Sequence, residues 1–133
     1  MGEPAKCLSL KQPFAELVVT GRKTIELRHW NTHFRGEFLV HASGNPDREA
    51  FEKFGIALES LPRRAIVGKA TLYDVKEYKG EADFAADKDK HLASGGYYAE
   101  SRYGFLLNDA KKFDKPIPIS GKLGFFEVDV KAP

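Results

Sequence analysis

The sequence of 133 residues contains almost nothing that could form a covalent cross-link or a metal centre. Its single cysteine, Cys7, excludes a disulfide within the chain and is expected to be a small buried side chain in a reducing compartment. No spacing of histidine and cysteine matches a metal-binding pattern. We therefore expect neither a metal nor any other cofactor.

Long hydrophobic segments are also absent from the sequence. No apolar run approaches the roughly 18 residues of a membrane-spanning helix, and residues 1–6 lack the hydrophobic stretch of a signal peptide. A cytoplasmic protein that does not engage a membrane is expected. The chain has the length of one domain, and its 42% of apolar residues can form a core, so a single domain over residues 1–133 is predicted, and we expect a monomer.

The net charge of +2 is too small to indicate nucleic-acid binding by itself, but its distribution is uneven. Residues 1–43 hold six basic and four acidic side chains, which accounts for the whole net charge, whereas residues 74–89 are rich in acid. This pattern predicts a mildly positive face in the first third of the chain. Solvated surface charge without a partner is an equally simple explanation.

Short strands outnumber helices in the hydrophobic pattern. Pro13 begins a first helix and Gly21 ends it, while Asp47 caps a second helix that Gly55 ends. A short helix within a long loop is expected over 76–96, and Pro116 and Pro118 are expected in a connection between strands. Strands are predicted over 6–10, 24–28, 37–43, 66–74, 103–107 and 123–130. Many short strands with few helices favour a small β-barrel.

The most informative segment is 21–28, in which Lys23, Glu26 and Arg28 place three charged side chains within six residues, on and beside a short strand. Alternation along this strand puts Glu26 and Arg28 on one face, about 7 Å apart, with Thr24 beside them. Lys23 lies at the start of the strand, so its ammonium can reach the same face. A surface ion pair of Glu26 with Arg28 is the structural explanation, although it leaves Lys23 unexplained.

The spacing of Gly21, Lys23, Glu26 and Arg28 resembles the Gly-x-Lys-x-x-Glu-x-Arg pattern of the ASCH domain family, named for homology to an activating signal cointegrator. The segments CLSLKQPFA at 7–15 and RGEFLVHAS at 35–43 extend the resemblance, which covers the chain from Cys7 to about Val128. It implies a mixed, β-rich α+β domain. The expected fold is a small PUA-like β-barrel with short flanking helices.

The resemblance also implies a cleft that binds RNA, another nucleic acid or a nucleotide. Lys11, Arg22 and Lys23 would meet phosphate, Glu26 and Arg28 would hydrogen-bond a base edge, and Trp30 would stack or pack at the rim. Ser9 and Gln12 either join them or cap the adjacent turn. The candidate ligand-binding residues are Ser9, Lys11, Gln12, Arg22, Lys23, Glu26, Arg28 and Trp30.

Two enzymatic alternatives stay open. A bacterial branch of the family removes the acetyl group of N4-acetylcytidine with a lysine, a threonine and a glutamate, and its threonine falls at Glu26 here. Lys23 and Glu26 are then the candidate catalytic residues, with Thr24 as a substitute nucleophile and Glu77 or Glu81 as the acidic-loop glutamate. Ribonuclease activity is the second alternative, without an assigned residue.

Overall fold

The computed structural model describes residues 4–93, Tyr98 and 102–130. Over these residues the chain forms a mixed α+β domain with one mostly antiparallel sheet. Its elements are β1 (Ala5–Leu10), α1 (Phe14–Val19), β2 (Ile25–Arg28), β3 (Gly36–Ala42), α2 (Arg48–Phe54), β4 (Ala65–Glu77), α3 (Glu81–Ala86), α4 (Lys88–His91), β5 (Tyr103–Pro118) and β6 (Phe125–Val128). Within the described part of the chain, no helix is long and apolar enough to cross a membrane.

Within the described ranges, six strands lie in the order β2-β5-β4-β3-β1-β6, and among their pairs only β1–β3 is parallel. The sheet is not closed, because β2 and β6 are its two edge strands. The predicted β-barrel therefore describes this sheet only loosely. Side chains nevertheless span the space between the ends. Arg28 Nη2 of β2 donates to the Ser9 carbonyl of β1 at 2.8 Å, and the ring centroids of Phe105 and Phe125 lie 6.2 Å apart.

The main core lies between the curled sheet and α1. It is formed by the apolar faces of the strands and by Val18 and Val19 of the helix. At Gly68 neighbouring elements approach β4 closely, because a Cβ there would lie 2.3 Å from the Lys111 carbonyl oxygen and 2.6 Å from Val19 Cγ1. A side chain at position 68 would therefore push β4 away from both neighbours.

The local signals for the helix ends agree with the structure. Gly21 has a left-handed φ of 80° just after α1, and the turn brings the Lys23 backbone N–H to the Leu17 carbonyl at 2.8 Å. Asp47 accepts from the Ala50 N–H at 3.0 Å and so caps α2, which Gly55 ends with φ 66°. The turn at Gly21 therefore determines where the charged segment 21–28 begins.

Two expectations need correction. β4 and β5 are much longer than predicted, because register shifts let the pair continue past its irregular positions. Pro116 and Pro118, expected in a connection, lie in β5. β5 pairs with β2 only from Tyr103 to Leu106, so the prolines lie where one edge of β5 has no partner among the described strands.

The region 76–96, for which one short helix was expected, contains the two helices α3 and α4, and residues 94–96 lie outside the described residues.

Candidate functional site

A cavity of about 890 Å³ is bounded on one side by β2 and on the other by β1 and the segment 120–124 that leads into β6. Its charge is mostly positive. The lining includes five cationic side chains and two carboxylates, which are Lys11, Lys23, Arg28, Arg64 and Lys122 with Glu26 and Asp47. A cavity of this size fits a nucleotide-sized ligand, and its charge favours an anionic one.

Three motif side chains form a partly buried charged cluster on the β2 side of this cavity. Glu26 Oε2 accepts from Arg28 Nε at 3.0 Å and lies 2.9 Å from Arg28 Nη2. Lys23 Nζ lies 3.8 Å from the other carboxylate oxygen, Oε1. The carboxylate is thus held between two cations, and charge-assisted contacts of this kind fix its orientation.

Lys23 is almost completely buried, unlike a lysine that binds a ligand at the protein surface. Only 4% of it is exposed, and its ammonium donates to the His91 carbonyl and lies 5.2 Å from the Phe14 ring centroid. Burial lowers the pKa of Lys23 from 10.5 to about 8; Glu26 opposes this shift and Arg28 adds to it. A substantial share of Lys23 side chains is therefore neutral in mildly alkaline solution.

The acidic region that contains α3 and α4 packs against Lys23 through His91, the last residue of α4. His91 is buried and stacks on Phe84 with ring centroids 4.3 Å apart, and its Nδ1 accepts from the Ala93 N–H at 3.0 Å. Burial lowers the pKa of His91. These contacts and the 2.8 Å hydrogen bond between Nε2 and the Phe84 carbonyl oxygen hold the ring in place, and so they position the His91 carbonyl that Lys23 contacts.

Trp30 lies at the rim of the cavity. Its ring packs edge-on against Phe105 and Phe125, with centroids 5.3 and 6.0 Å away, and the Arg28 guanidinium lies 6.0 Å from its centroid. It is half-buried and also lines the cavity. Packing therefore holds the indole in place, whatever further contact it makes with a ligand.

Six of the eight candidate ligand-binding residues line the cavity, and Gln12 and Arg22 do not. Gln12 is fully buried; it donates to the Pro62 carbonyl at 2.9 Å and accepts from the Glu16 N–H at 2.9 Å. Arg22 points elsewhere, with its guanidinium 5.4 Å from the Phe54 ring centroid. The structure gives Gln12 the turn-capping role and puts Arg22 outside this cavity.

The candidates for the enzymatic alternatives are also divided by the structure. Thr24, Glu77 and Glu81 are not among the residues that line the cavity. Thr24 precedes β2, and its backbone N–H donates to the Lys90 carbonyl at 3.0 Å. Lys23 and Glu26 are therefore the candidate catalytic residues that share the site.

Other lining residues escaped the sequence reasoning because they come from distant segments. Arg64 precedes β4, while Gly121 and Lys122 belong to the segment before β6. His41 also lines the cavity, and its Nδ1 lies 2.8 Å from Ser9 Oγ. No local signal in the sequence brings these residues together.

Comparison with known proteins agrees with this architecture. The family model for the ASCH domain matches residues 8–117. The chain belongs to the ASCH family. The resemblance read from the motif at 21–28 is thereby confirmed, and the six-stranded α+β architecture is that of a PUA-like domain whose sheet is not closed.

Solved ASCH structures have the same fold. The ASCH protein from Zymomonas mobilis is 17% identical with a TM-score of 0.69, covering 93% of this chain and 87% of that one. Two mutants of the Zymomonas mobilis protein are each 17% identical to this chain, with TM-scores of 0.67 and 0.66. The two alignments each cover 93% of this chain, and they cover 89% and 87% of the mutant chains. At this identity the likeness establishes the fold alone. The search of curated proteins found no significant match.

Proposed function

We propose that this ASCH domain binds single-stranded RNA or a nucleotide, with a base in the cavity and phosphate at its rim. The observation that carries the proposal is the cluster of Lys23, Glu26 and Arg28 inside a cavity with an excess of cationic side chains. Such a site offers donors for phosphate and for base carbonyls, and it offers a carboxylate for base N–H groups.

The side chains fall into two groups by exposure. One group is exposed to solvent at the cavity and consists of Lys11, Arg64 and Lys122. These cationic side chains can attract a phosphate group that keeps its hydration. Glu26 and Arg28 lie deeper and are held by each other, so they have the fixed geometry that a base edge requires. Trp30 supplies an aromatic rim on which a base can stack.

Removing a rim charge should weaken RNA binding without affecting the fold. We expect Lys11→Ala and Lys122→Ala each to lower the affinity for a short single-stranded RNA and to reduce the slope of log affinity against log salt by about 0.7 per lost phosphate contact. Fluorescence anisotropy over a series of salt concentrations measures both. Lys115→Ala, which removes an exposed lysine that does not line the cavity, is the matched control and should leave both quantities unchanged.

Three results would contradict this proposal. One is the absence of a complex at low ionic strength, and a second is an affinity that does not depend on salt. The third is an equal loss in Lys115→Ala, which would mean that binding depends on net charge rather than on this cavity. Gel analysis of the RNA after incubation also tests the ribonuclease alternative, because cleavage products would appear.

A second candidate function, hydrolysis of N4-acetylcytidine, is favoured by the pairing of a carboxylate with a buried lysine whose pKa is lowered to about 8. Glu26 would take a proton from water, and the resulting hydroxide would add to the amide carbonyl carbon while the Lys23 ammonium stabilises the oxyanion. The C–N bond would then break as the departing cytidine amine takes a proton from Glu26. The products are acetate and cytidine.

This mechanism predicts a particular pH dependence. Turnover should fall as the pH rises through about 8, because Lys23 then loses the proton that makes it a cation. Glu26→Gln should remove the activity, whereas Thr24→Val should largely keep it, since Thr24 does not line the cavity. Mass-spectrometric quantification of released cytidine checks all three. Rapid deacetylation by folded Glu26→Gln protein would show that Glu26 is not the base.

A further inference from the structure

Three groups from distant parts of the chain form a hydrogen-bonded series at the wall of the cavity. His41 is buried at the end of β3, and its Nε2 lies 2.6 Å from the Ile119 carbonyl oxygen. Its Nδ1 lies 2.8 Å from Ser9 Oγ on β1. Ser9 and His41 both line the cavity.

When the His41 imidazole is neutral, the chemistry of this series fixes the direction of both hydrogen bonds in it. A backbone carbonyl can only accept, so His41 Nε2 must carry a proton. In the neutral imidazole the other nitrogen, Nδ1, is then an acceptor. Because Ser9 faces an acceptor, its hydroxyl proton is directed to Nδ1, and only the lone pairs of Oγ remain for another partner.

We propose that Ser9 Oγ is an obligate hydrogen-bond acceptor that selects ligands bearing an N–H donor, and that the preferred class is a nucleobase with an exocyclic amino group. This inference rests on the proposed function, since it assigns specificity within the same cavity. It makes Ser9 a specificity-determining residue and His41 the residue that orients it.

The second acceptor of the site supports this ligand class. Arg28 Nη2 lies 2.8 Å from the Ser9 carbonyl oxygen and 2.9 Å from Glu26 Oε2, so one guanidinium contacts both residues. Ser9 and Glu26 are therefore neighbours across the guanidinium. An exocyclic amino group carries two N–H donors and can use both acceptors, whereas a keto oxygen at that place would meet lone pairs on each.

Gly121 leaves the space that this arrangement needs. A Cβ at position 121 would lie 2.7 Å from His41 Cε1 and 2.9 Å from both His41 Nδ1 and Ser9 Oγ. Any side chain there would displace the imidazole or the hydroxyl. Ile119 and Gly121 thus have separate roles: Ile119 supplies the carbonyl that fixes the tautomer, and Gly121 leaves the His41–Ser9 pair uncrowded.

The first test examines the hydrogen-bond direction and needs no ligand. Long-range proton–nitrogen correlation spectra of the ¹⁵N-labelled full chain, in mildly alkaline buffer, should show His41 protonated at Nε2 and unprotonated at Nδ1. A proton on Nδ1 would overturn the assignment of Ser9 as an acceptor. This result is independent of whether the chain binds RNA.

The second test measures the preference itself. The probes are cytidine and adenosine 5′-monophosphates, each with the analogue in which two methyl groups replace the amino hydrogens. The native chain should bind each amino probe at least about tenfold more tightly than its dimethyl analogue, because the analogue cannot donate to Ser9 Oγ or to Glu26, and one hydrogen bond within a site corresponds to about tenfold. Ser9→Ala should lower that ratio by about tenfold, the share of the hydrogen bond to Oγ, and Ser60→Ala, which removes an exposed hydroxyl outside the cavity, should keep it.

The outcomes separate the two proposals. A native chain that binds neither the nucleotides nor RNA overturns the proposed function. A native chain that binds both members of each pair equally, or a folded Ser9→Ala protein that keeps the native ratio, overturns the role of Ser9 and leaves the proposed function standing.

Discussion

Replacing Glu26 with glutamine is expected to lower the free energy of unfolding by about 3 kcal/mol at neutral pH, near the lower end for breaking a buried ion pair. The substitution keeps the shape of the side chain but leaves the Lys23 ammonium, which is 4% exposed, without its counter-charge. It also removes the carboxylate that Arg28 contacts. Chemical denaturation of the native and variant chains measures the difference.

The pH dependence of this loss has a definite sign. The pKa of Lys23 is about 8 in the folded chain and 10.5 ordinarily, so its charged form opposes folding below about 8, and this effect disappears as the pH rises to 10.5. Glu26 raises that pKa, and its removal lowers it further. The difference between native and variant chains should therefore be smaller near pH 10.5 than at neutral pH.

Glu37→Gln is the control for this experiment. Glu37 pairs with Lys69 at 3.2 Å, but its side chain is mostly exposed, and exposed pairs of this kind contribute less than about 1 kcal/mol. A loss in Glu26→Gln no larger than in Glu37→Gln, or one that is equal at both pH values, would show that the buried cluster does not depend on its carboxylate.

Phe105→Ala is expected to lower the free energy of unfolding by about 4 kcal/mol, the range for deleting a buried phenylalanine. Phe105 is fully buried opposite Glu26 in the β2–β5 pair. Its ring centroid lies 5.3 Å from that of Trp30 and 6.2 Å from that of Phe125. The variant loses the aromatic packing that joins the two ends of the open sheet. Denaturant titration measures the loss.

Tyr73→Ala provides the comparison, since Tyr73 is a large aromatic residue on β4 that is 53% exposed. Its removal should lower stability by less than about 1 kcal/mol. RNA affinity should fall in folded Phe105→Ala protein, because Trp30 loses one of its supports. Similar stability losses in the two variants would contradict the importance of the ring cluster.

The elements that the sequence predicts well are those with local signals. Proline, aspartate and glycine mark the ends of α1 and α2, and alternation marks β1 and β3. The long pair of β4 and β5 was underestimated because a register shift or a proline within a strand looks like a strand end when the partner strand is unknown. An open sheet and a closed barrel also have the same alternation, which is why the sequence could not distinguish them.

The candidate site divides in the same way. Lys23, Glu26 and Arg28 are close in sequence, and their spacing on and just before one strand was sufficient to predict that they meet. Gln12 and Arg22 are equally close, but their directions depend on the turns around α1, where alternation gives no guidance. Arg64, Gly121 and Lys122 reach the cavity through strand pairing between distant segments, which one sequence does not reveal.

The series of Ser9, His41 and Ile119 joins residues that are 32 and 78 positions apart along the chain. Among the described strands, β2 pairs with β5 alone. Contacts of such high sequence separation form late and slow the folding of a domain. During synthesis the cavity cannot exist until the segment after β5 has left the ribosome. Because a ligand there binds only the assembled state, its binding free energy stabilises the whole domain by mass action rather than one local segment. Saturating ligand should accordingly slow the hydrogen exchange of amides throughout the sheet, including those of β4, which contributes no residue to the lining of the cavity.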